Sequence, residues 1–350
     1  MNFFIVCVVG CLMLQNRTMQ AAEPVPPEEF GKATFLRDYP TALAKAKADK
    51  KPLLILFDEI PGCQTCRDFG SGPLSHPVIV KTIADEFVAV AVANNIKGAD
   101  AEVLARYKEQ AWNNPIVRLL DADGKDIVPR QEDYSAHVMM KRMIAALEKS
   151  KRAVPMELTA AATGVAIKPE TAVFAMHCYW VGEAKLGLLD GVVGTRIGEL
   201  QKDEVVEVTF DANVIDFSTL VKKAMEIDCS HRVFARTDEQ FKLAEKLVGK
   251  KVTRTDHAID CNTQQQWHMA KLHLYHDLPL SPCQATKVNA MIAHDRLPDE
   301  YLDTKQLEYK TRFGKVTAEE YKAIQQLKPD RTDKGRVAYT NELKDLLKMK

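Results

Sequence analysis

Residues 52–57 (Pro-Leu-Leu-Ile-Leu-Phe) form an apolar run that is followed at once by Ile60-Pro61-Gly62-Cys63-Gln64-Thr65-Cys66-Arg67. An apolar run of that length reads as a buried strand, and Pro-Gly as its stop. The Cys-x-x-Cys beyond it then opens a helix, and few folds place two thiols at such a junction. Unpaired N–H groups and the positive dipole end favour a thiolate on the first sulfur, while the short spacing keeps the second within bonding reach. The pattern predicts a redox dithiol. A structural disulfide and a metal half-site remain alternatives, but a zinc site wants a second pair of ligands and none has matching spacing nearby.

The flanking elements extend this into a domain over residues 28–152. A helix is expected at 39–50, another at 75–85, a strand at 87–92, a helix at 99–112 and a turn at Asn113-Asn114-Pro115. A strand at 116–120, a hairpin turn at Asp121-Ala-Asp-Gly124 and a helix at 136–149 complete it. The order resembles the thioredoxin superfamily, and Lys51-Pro-Leu-Leu-Ile-Leu-Phe and Leu74-Ser-His-Pro-Val-Ile-Val are similar to its exported, disulfide-reductase-like branch. The resemblance implies an α/β domain with a cis peptide before Pro115, facing the sulfurs and touching substrate. Gly62 stands where the superfamily usually has Trp. Similar Pro-Gly-Cys exported proteins carry selenocysteine at the position of Cys63, which implies Cys63 as the attacking atom and Cys66 as the resolving one.

A second cysteine-bearing junction lies at Phe174-Ala-Met-His-Cys178-Tyr179-Trp180. A strand at 171–175 hands over there to a helix at 181–189 ending at Asp190-Gly191, so Cys178 also sits at a helix start. Strands at 192–198 and 204–210, a helix at 216–227 and a strand at 231–235 follow. This order is that of a ferredoxin-like α+β sandwich, whose strands lie in spatial order 4-1-3-2 with antiparallel neighbours. One sheet edge would then gather Cys178, Glu204, Cys229 and His231.

The segments Ala172-Val-Phe-Ala-Met-His-Cys178-Tyr-Trp180-Val-Gly-Glu183-Ala, Gly191-Val-Val-Gly-Thr and Asp203-Glu204-Val-Val-Glu207-Val-Thr-Phe-Asp211 resemble the methionine sulfoxide reductase A family. The resemblance covers about 169–248 and implies that Cys178 attacks a sulfoxide sulfur while Glu204 protonates the departing oxygen. It implies a substrate pocket at Tyr179 and Trp180, and Cys229, Cys261 or Cys283 as the resolving thiol. Between Gly194 and Glu204 the chain is shorter than the family's tyrosine- and glycine-rich loop, and the family's second tyrosine falls on His231.

Ahead of both domains, 3–14 is an apolar stretch too short to span a membrane, with small residues at Ala21-Ala22. It reads as a signal peptide over 1–22 and an exported, periplasmic protein. Val8-Val9-Gly10-Cys11 also resembles a lipoprotein box that would acylate Cys11. The six cysteines beyond it, Cys63, Cys66, Cys178, Cys229, Cys261 and Cys283, would meet an oxidising compartment.

Lys plus Arg equals Asp plus Glu at 48 each, so no basic surface for nucleic acid is indicated. Residues 153–168 read as a linker, 169–250 as the second domain and 251–350 as a helical extension. In that extension His268, His273 and His276 are spaced too irregularly for a metal site, and no metal or cofactor is called for.

The expected function is that of an exported thiol-dependent oxidoreductase: Cys178 reduces methionine sulfoxide in peptides or proteins, and Cys63 and Cys66 reduce the resulting disulfide. The alternative is a protein disulfide reductase whose second domain only docks or relays. Either one requires an upstream thiol electron donor.

Overall fold

The computed structural model describes residues 26–130, 132 and 135–349; the leader with Cys11 lies outside the described residues. In the first domain the apolar runs become a three-stranded sheet. Helix α1 (Tyr39–Asp49) precedes β1 (Leu53–Asp58), and α2 (Gln64–Ser71) and α3 (Pro77–Glu86) follow it. Next come β2 (Val88–Ala93), α4 (Ala99–Tyr107), β3 (Ile116–Leu120) and α5 (Ala136–Lys149).

Strand β1 is central, parallel to β2 and antiparallel to β3. Its side chains alternate between two cores, Leu54 and Leu56 on one face and Leu53, Ile55 and Phe57 on the other. Each fully buried leucine contributes about 1.5–3 kcal/mol relative to exposure, so both faces hold β1, and the dithiol loop after it, in place. Side-chain caps start the outer helices: Asp38 accepts from Thr41 N–H and Ser135 from Val138 N–H.

The stretch expected as a linker is in fact structured. Met156–Thr163 forms helix α6, and its Leu158 and Ala162 are buried in the first domain's core. Apolar side chains one turn apart gave it a face to bury.

The second domain runs β4 (Pro169–Met176), α7 (Tyr179–Gly187), β5 (Val192–Leu200), β6 (Asp203–Asp211), α8 (Phe217–Met225), β7 (Ser230–Ala235) and α9 (Asp238–Val248). The sheet order is β8-β7-β4-β6-β5-β9, where β8 is Val252–Arg254 and β9 is Asp260–Cys261. The inner four strands lie in the order 4-1-3-2 with antiparallel neighbours, as the element order led us to expect. The extension is not purely helical, however, because its first residues supply both edge strands.

The register pairs Met176 with Glu204 at one end of the sheet and Pro169 with Asp211 at the other. Seven steps of strand separate those ends, about 24 Å at ~3.4 Å per residue.

Helices α10 (Trp267–Ala270), α11 (His273–His276), α12 (Pro282–Ala293), α13 (Thr304–Phe313), α14 (Ala318–Gln326) and α15 (Asp333–Leu347) complete the chain. Between 262 and 277 the helical extension holds only two isolated turns, α10 and α11. Leu278, Tyr309 and Leu343 centre a separate core there, and α12 packs along α7.

Among the described residues no helix is long and apolar enough to cross a membrane. The first domain meets the rest through a stack of His137 on Tyr301 and a bond from Lys141 Nζ to the Glu300 carbonyl. A cavity of about 690 Å³ beside this contact is lined by His76 and His137 from one side and by Val192, Asp211 and Cys283 from the other. The domains therefore meet at the end of the sheet opposite Cys178.

Candidate functional site

Two thiol centres emerge. At the first, Cys63 is the N-cap of α2, exposed, with extended backbone (φ −70°, ψ 177°). Cys66 lies one turn on, fully buried, with its sulfur 3.3 Å from that of Cys63. The backbone N–H of Cys66, directed at the Cys63 sulfur, is the main cause holding the Cys63 thiol below its usual range. Burial pushes the Cys66 thiol well above its own, and Asp58 adds to that. One sulfur is exposed with its thiol pKa lowered and the other buried with its thiol pKa raised, the asymmetry that the roles expected for Cys63 and Cys66 require.

Asn114 supplies the next contact: its Oδ1 lies 2.9 Å from the Cys66 sulfur and 3.7 Å from the Cys63 sulfur. The Asn114–Pro115 peptide is cis, as the resemblance implied, and so is Ile60–Pro61.

Acidic groups that the sequence reading passed over complete this centre. Asp58 ends β1 fully buried, and burial pushes its carboxyl up to about 7. Its Oδ1 accepts the Glu59 N–H, while Oδ2 has no hydrogen-bond partner and the carboxyl acts on the neighbouring Cys66 thiol. A signal for it did exist, an acid terminating an otherwise all-apolar strand. Glu59 follows and brings a carboxylate oxygen within 4.8 Å of both sulfurs. Buried Glu29 accepts the Gly62 N–H at 2.5 Å, and Arg67 Nη1 donates to the Gly62 carbonyl at 2.6 Å.

These bonds hold a turn that has no room for a side chain. A Cβ at residue 62 would fall 2.4 Å from the Glu59 carbonyl oxygen and 2.7 Å from Cys66 Cβ, which explains glycine in place of a larger residue. Trp112, 79% exposed, stands two residues before Asn114 and offers an apolar surface.

At the second centre Cys178 is half-buried and is the N-cap of α7. Glu204 lies across the strand ends from it, and the Glu204 carboxylate accepts the Tyr179 N–H at 2.9 Å, one residue past the thiol. Cys229 is alongside, its sulfur 3.6 Å from the Cys178 carbonyl oxygen and 3.9 Å from Met176 Sδ, while its own carbonyl accepts the His177 N–H. His231 stacks on His177 at 4.5 Å and lies 3.5 Å from Asp203.

Tyr179 is buried in the core with its phenol accepting from Asn262, so its ring is structural rather than the pocket wall expected. Trp180 stacks on Trp267 at 4.7 Å, a partner sequence separation concealed.

The remaining cysteines divide. All six described cysteines are free thiols. Cys261 is exposed on β9, paired with Gly198 at the Cys178 end of the sheet. Cys283 lies at the opposite end against Gly164, where a Cβ would come 2.2 Å from its sulfur. Its expected resolving role does not fit that position. His273 and His276 flank Asp277 at 3.7 and 2.8 Å, an acid partner the sequence reading missed, whereas His268 donates its backbone N–H to Asn289.

Residues 34–122 match the family model described as thioredoxin-like, so this part of the chain is a thioredoxin-like domain with the Cys63/Cys66 pair inside it. Among solved structures, a DsbH oxidoreductase is similar at 20% identity over 36% of this chain and 92% of that one, with a TM-score of 0.29. A thioredoxin from Thermus thermophilus is similar at 21% identity over 34% of this chain and 90% of that one, with a TM-score of 0.30. No curated protein matches the chain.

Proposed function

We propose that the protein is an exported thiol-dependent oxidoreductase in which Cys63 and Cys66 reduce disulfides. The observation that carries this reading is the asymmetric pair itself: two sulfurs 3.3 Å apart, one exposed with a lowered thiol pKa, the other buried beside Asp58. The Cys63 thiolate attacks one sulfur of a substrate disulfide, forming a mixed disulfide and expelling the other sulfur as a thiolate. Asp58 takes the Cys66 proton, and the Cys66 thiolate attacks the Cys63 sulfur and releases the second substrate thiolate.

Two electrons have then moved to substrate and a Cys63–Cys66 disulfide remains, which an upstream thiol donor must reduce. The exposed Trp112 favours a peptide or protein disulfide over a small polar one. Reduction of insulin disulfides by the pre-reduced protein tests the reading. Activity lost in Cys63→Ser supports it, and full activity in that variant overturns it.

A second activity is favoured by the placement of Glu204 and Cys229 around Cys178. The Cys178 thiolate would attack the sulfur of a methionine sulfoxide while Glu204 delivers a proton to the oxygen, leaving methionine and a sulfenic acid on Cys178. Cys229 then condenses with it, water leaves, and the dithiol reduces the disulfide. Because the domains meet at the far end of the sheet, that last transfer requires either reorientation of the domains or a second copy of the chain. Turnover of methionine sulfoxide with dithiothreitol that disappears in Cys178→Ser supports this activity. Absence of turnover leaves the second domain as a docking or relay module.

A further inference from the structure

The disulfide chemistry makes no use of Glu59, yet this residue shares a corner with the exposed Cys63 and the buried Cys66 sulfurs. One of its carboxylate oxygens and the two Sγ atoms all lie within 4.8 Å of one another, and the sulfurs are 3.3 Å apart. Asn114 Oδ1 adds a second oxygen, 2.9 and 3.7 Å from the same sulfurs. Around a tetrahedral ion with metal–sulfur bonds of about 2.3 Å and metal–oxygen bonds of about 2.0–2.2 Å, neighbouring donors stand roughly 3–4 Å apart.

The donors are thus nearly at ligand spacing before any ion enters. The frame that holds them is also fixed: Ile60 N–H bonds to Asn95, and Gly62 is tied to both Glu29 and Arg67. Such outer contacts hold ligands in orientation.

We propose that the reduced dithiol is a reversible zinc site, with Cys63, Cys66 and Glu59 as ligands and the fourth position taken by Asn114 Oδ1 or solvent. Two sulfurs select a thiophilic d10 ion and disfavour magnesium or calcium, which require oxygen shells. Sequence spacing gave no third-ligand signal because Glu59 reaches the pair through the turn at Pro61-Gly62. Binding moves no electrons: one Zn²⁺ replaces the two thiol protons, which pass to solvent. The ion blocks the Cys63 lone pair, so the loaded protein cannot attack a disulfide. Where zinc has dissociated, a substrate disulfide takes two electrons from the free pair and is reduced to two thiols, and the Cys63–Cys66 disulfide left behind has lost two ligands and cannot rebind the ion. The inference rests on the dithiol reading above and adds a form of regulation to it.

The experiment uses the full chain carrying Cys7→Ser, Cys11→Ser, Cys178→Ser, Cys229→Ser and Cys261→Ser, so that of the other thiols only the Cys283 thiol is left. Zinc affinity is read by competition with a chromophoric chelator, with magnesium as control, and insulin reduction is read with and without one equivalent of zinc. The expected result is one zinc per reduced chain, none on the oxidised chain, affinity at least about tenfold weaker in Glu59→Gln, and insulin reduction that falls in step with zinc bound and returns with EDTA. Unchanged affinity in Glu59→Gln, or no stoichiometric zinc on the reduced chain, overturns the site. Insulin reduction in EDTA reports separately on the disulfide reading, so a chain that reduces insulin but holds no zinc sinks only this inference.

Discussion

Cys63 and Cys178 start from the same local design. Each follows an apolar strand, and each is the N-cap of a helix with extended backbone and no side-chain capping bond. Their surroundings then diverge. Cys63 has a partner sulfur at 3.3 Å and a buried carboxyl behind that partner. Around Cys178 the acid across the strand ends, Glu204, is engaged by a backbone N–H, and the Cys229 sulfur faces the Cys178 carbonyl oxygen. A helix start therefore presents a thiol, but the residues brought up from elsewhere in the chain decide what the thiol can do.

The sharpest test of that contrast is removal of each sulfur. Cys63→Ser should lower insulin reduction at least about a thousandfold, since no other group replaces the nucleophile. Cys66→Ser should instead trap a mixed disulfide detectable by mass spectrometry. If Cys178→Ser impairs insulin reduction equally, the two centres act as one unit and the contrast fails. At the second centre the acid is next: Glu204→Gln should slow any methionine sulfoxide turnover about a hundredfold, the ordinary scale of a lost proton donor. Undiminished turnover in that variant removes Glu204 from the chemistry.

Asp58 gives a smaller effect with a distinct pH signature. Its folded-state pKa is raised from 3.8 to about 7, so the folded protein binds this proton more tightly than the unfolded chain does. Stability therefore falls as pH rises from about 4 through 7, and ionised Asp58 costs roughly 2–4 kcal/mol above that window. Asp58→Asn should raise stability at pH 8, flatten that part of the pH profile, and slow release of the mixed disulfide about tenfold. Stopped-flow resolution of the Cys63 adduct and denaturant unfolding at pH 5 and 8 measure both. An unchanged resolution rate would leave the carboxyl with no part in proton transfer.

How much of this could be read from the sequence follows the same division between local and distant. Cys63, Cys66 and Cys178 were legible because a strand stop and a helix start within ten residues define their positions. Element order alone gave the 4-1-3-2 sheet order, and with it the approach of Glu204 and Cys229 to Cys178. What was missed depends on packing between separated segments. Trp267 reaches Trp180 where Asn289 accepts the backbone N–H groups of His268 and Met269, fixing that segment to α12, which packs along α7. Asn114 and Glu29 meet the dithiol loop across gaps with no periodic signal. The linker was misread because a helix of small residues resembles a flexible tether until its Leu158 finds a core.

The finest test concerns two buried acids. Glu183, one turn into α7, is fully buried, and burial pushes its carboxyl up to about 7, the same level as Asp58. Its partners are different: it accepts from Gln266 N–H, Thr195 Oγ1 and Asn289 Nδ2. Gln266 and Asn289 belong to the loop and helix that brace the Trp180–Trp267 stack and Thr195 to β5, so Glu183 ties architecture together where Asp58 lies beside a thiol.

Glu183→Gln removes the cost of ionisation, but it sets an amide NH₂ against that of Asn289, whose Oδ1 is already committed to two N–H groups. One gain and one loss of about 1–2 kcal/mol each leave a net change within about 1 kcal/mol at pH 7. The wild type should lose stability as pH rises from about 4.5 through 7, because the folded pKa is the higher one, and the variant should lose less, keeping only the part that Asp58 contributes. Denaturant unfolding at pH 6 and 8.5, with sulfoxide turnover measured alongside, reads the outcome. A tenfold fall in turnover at unchanged stability would make Glu183 part of the Cys178 chemistry and bring the two centres closer in kind than their thiol surroundings indicate.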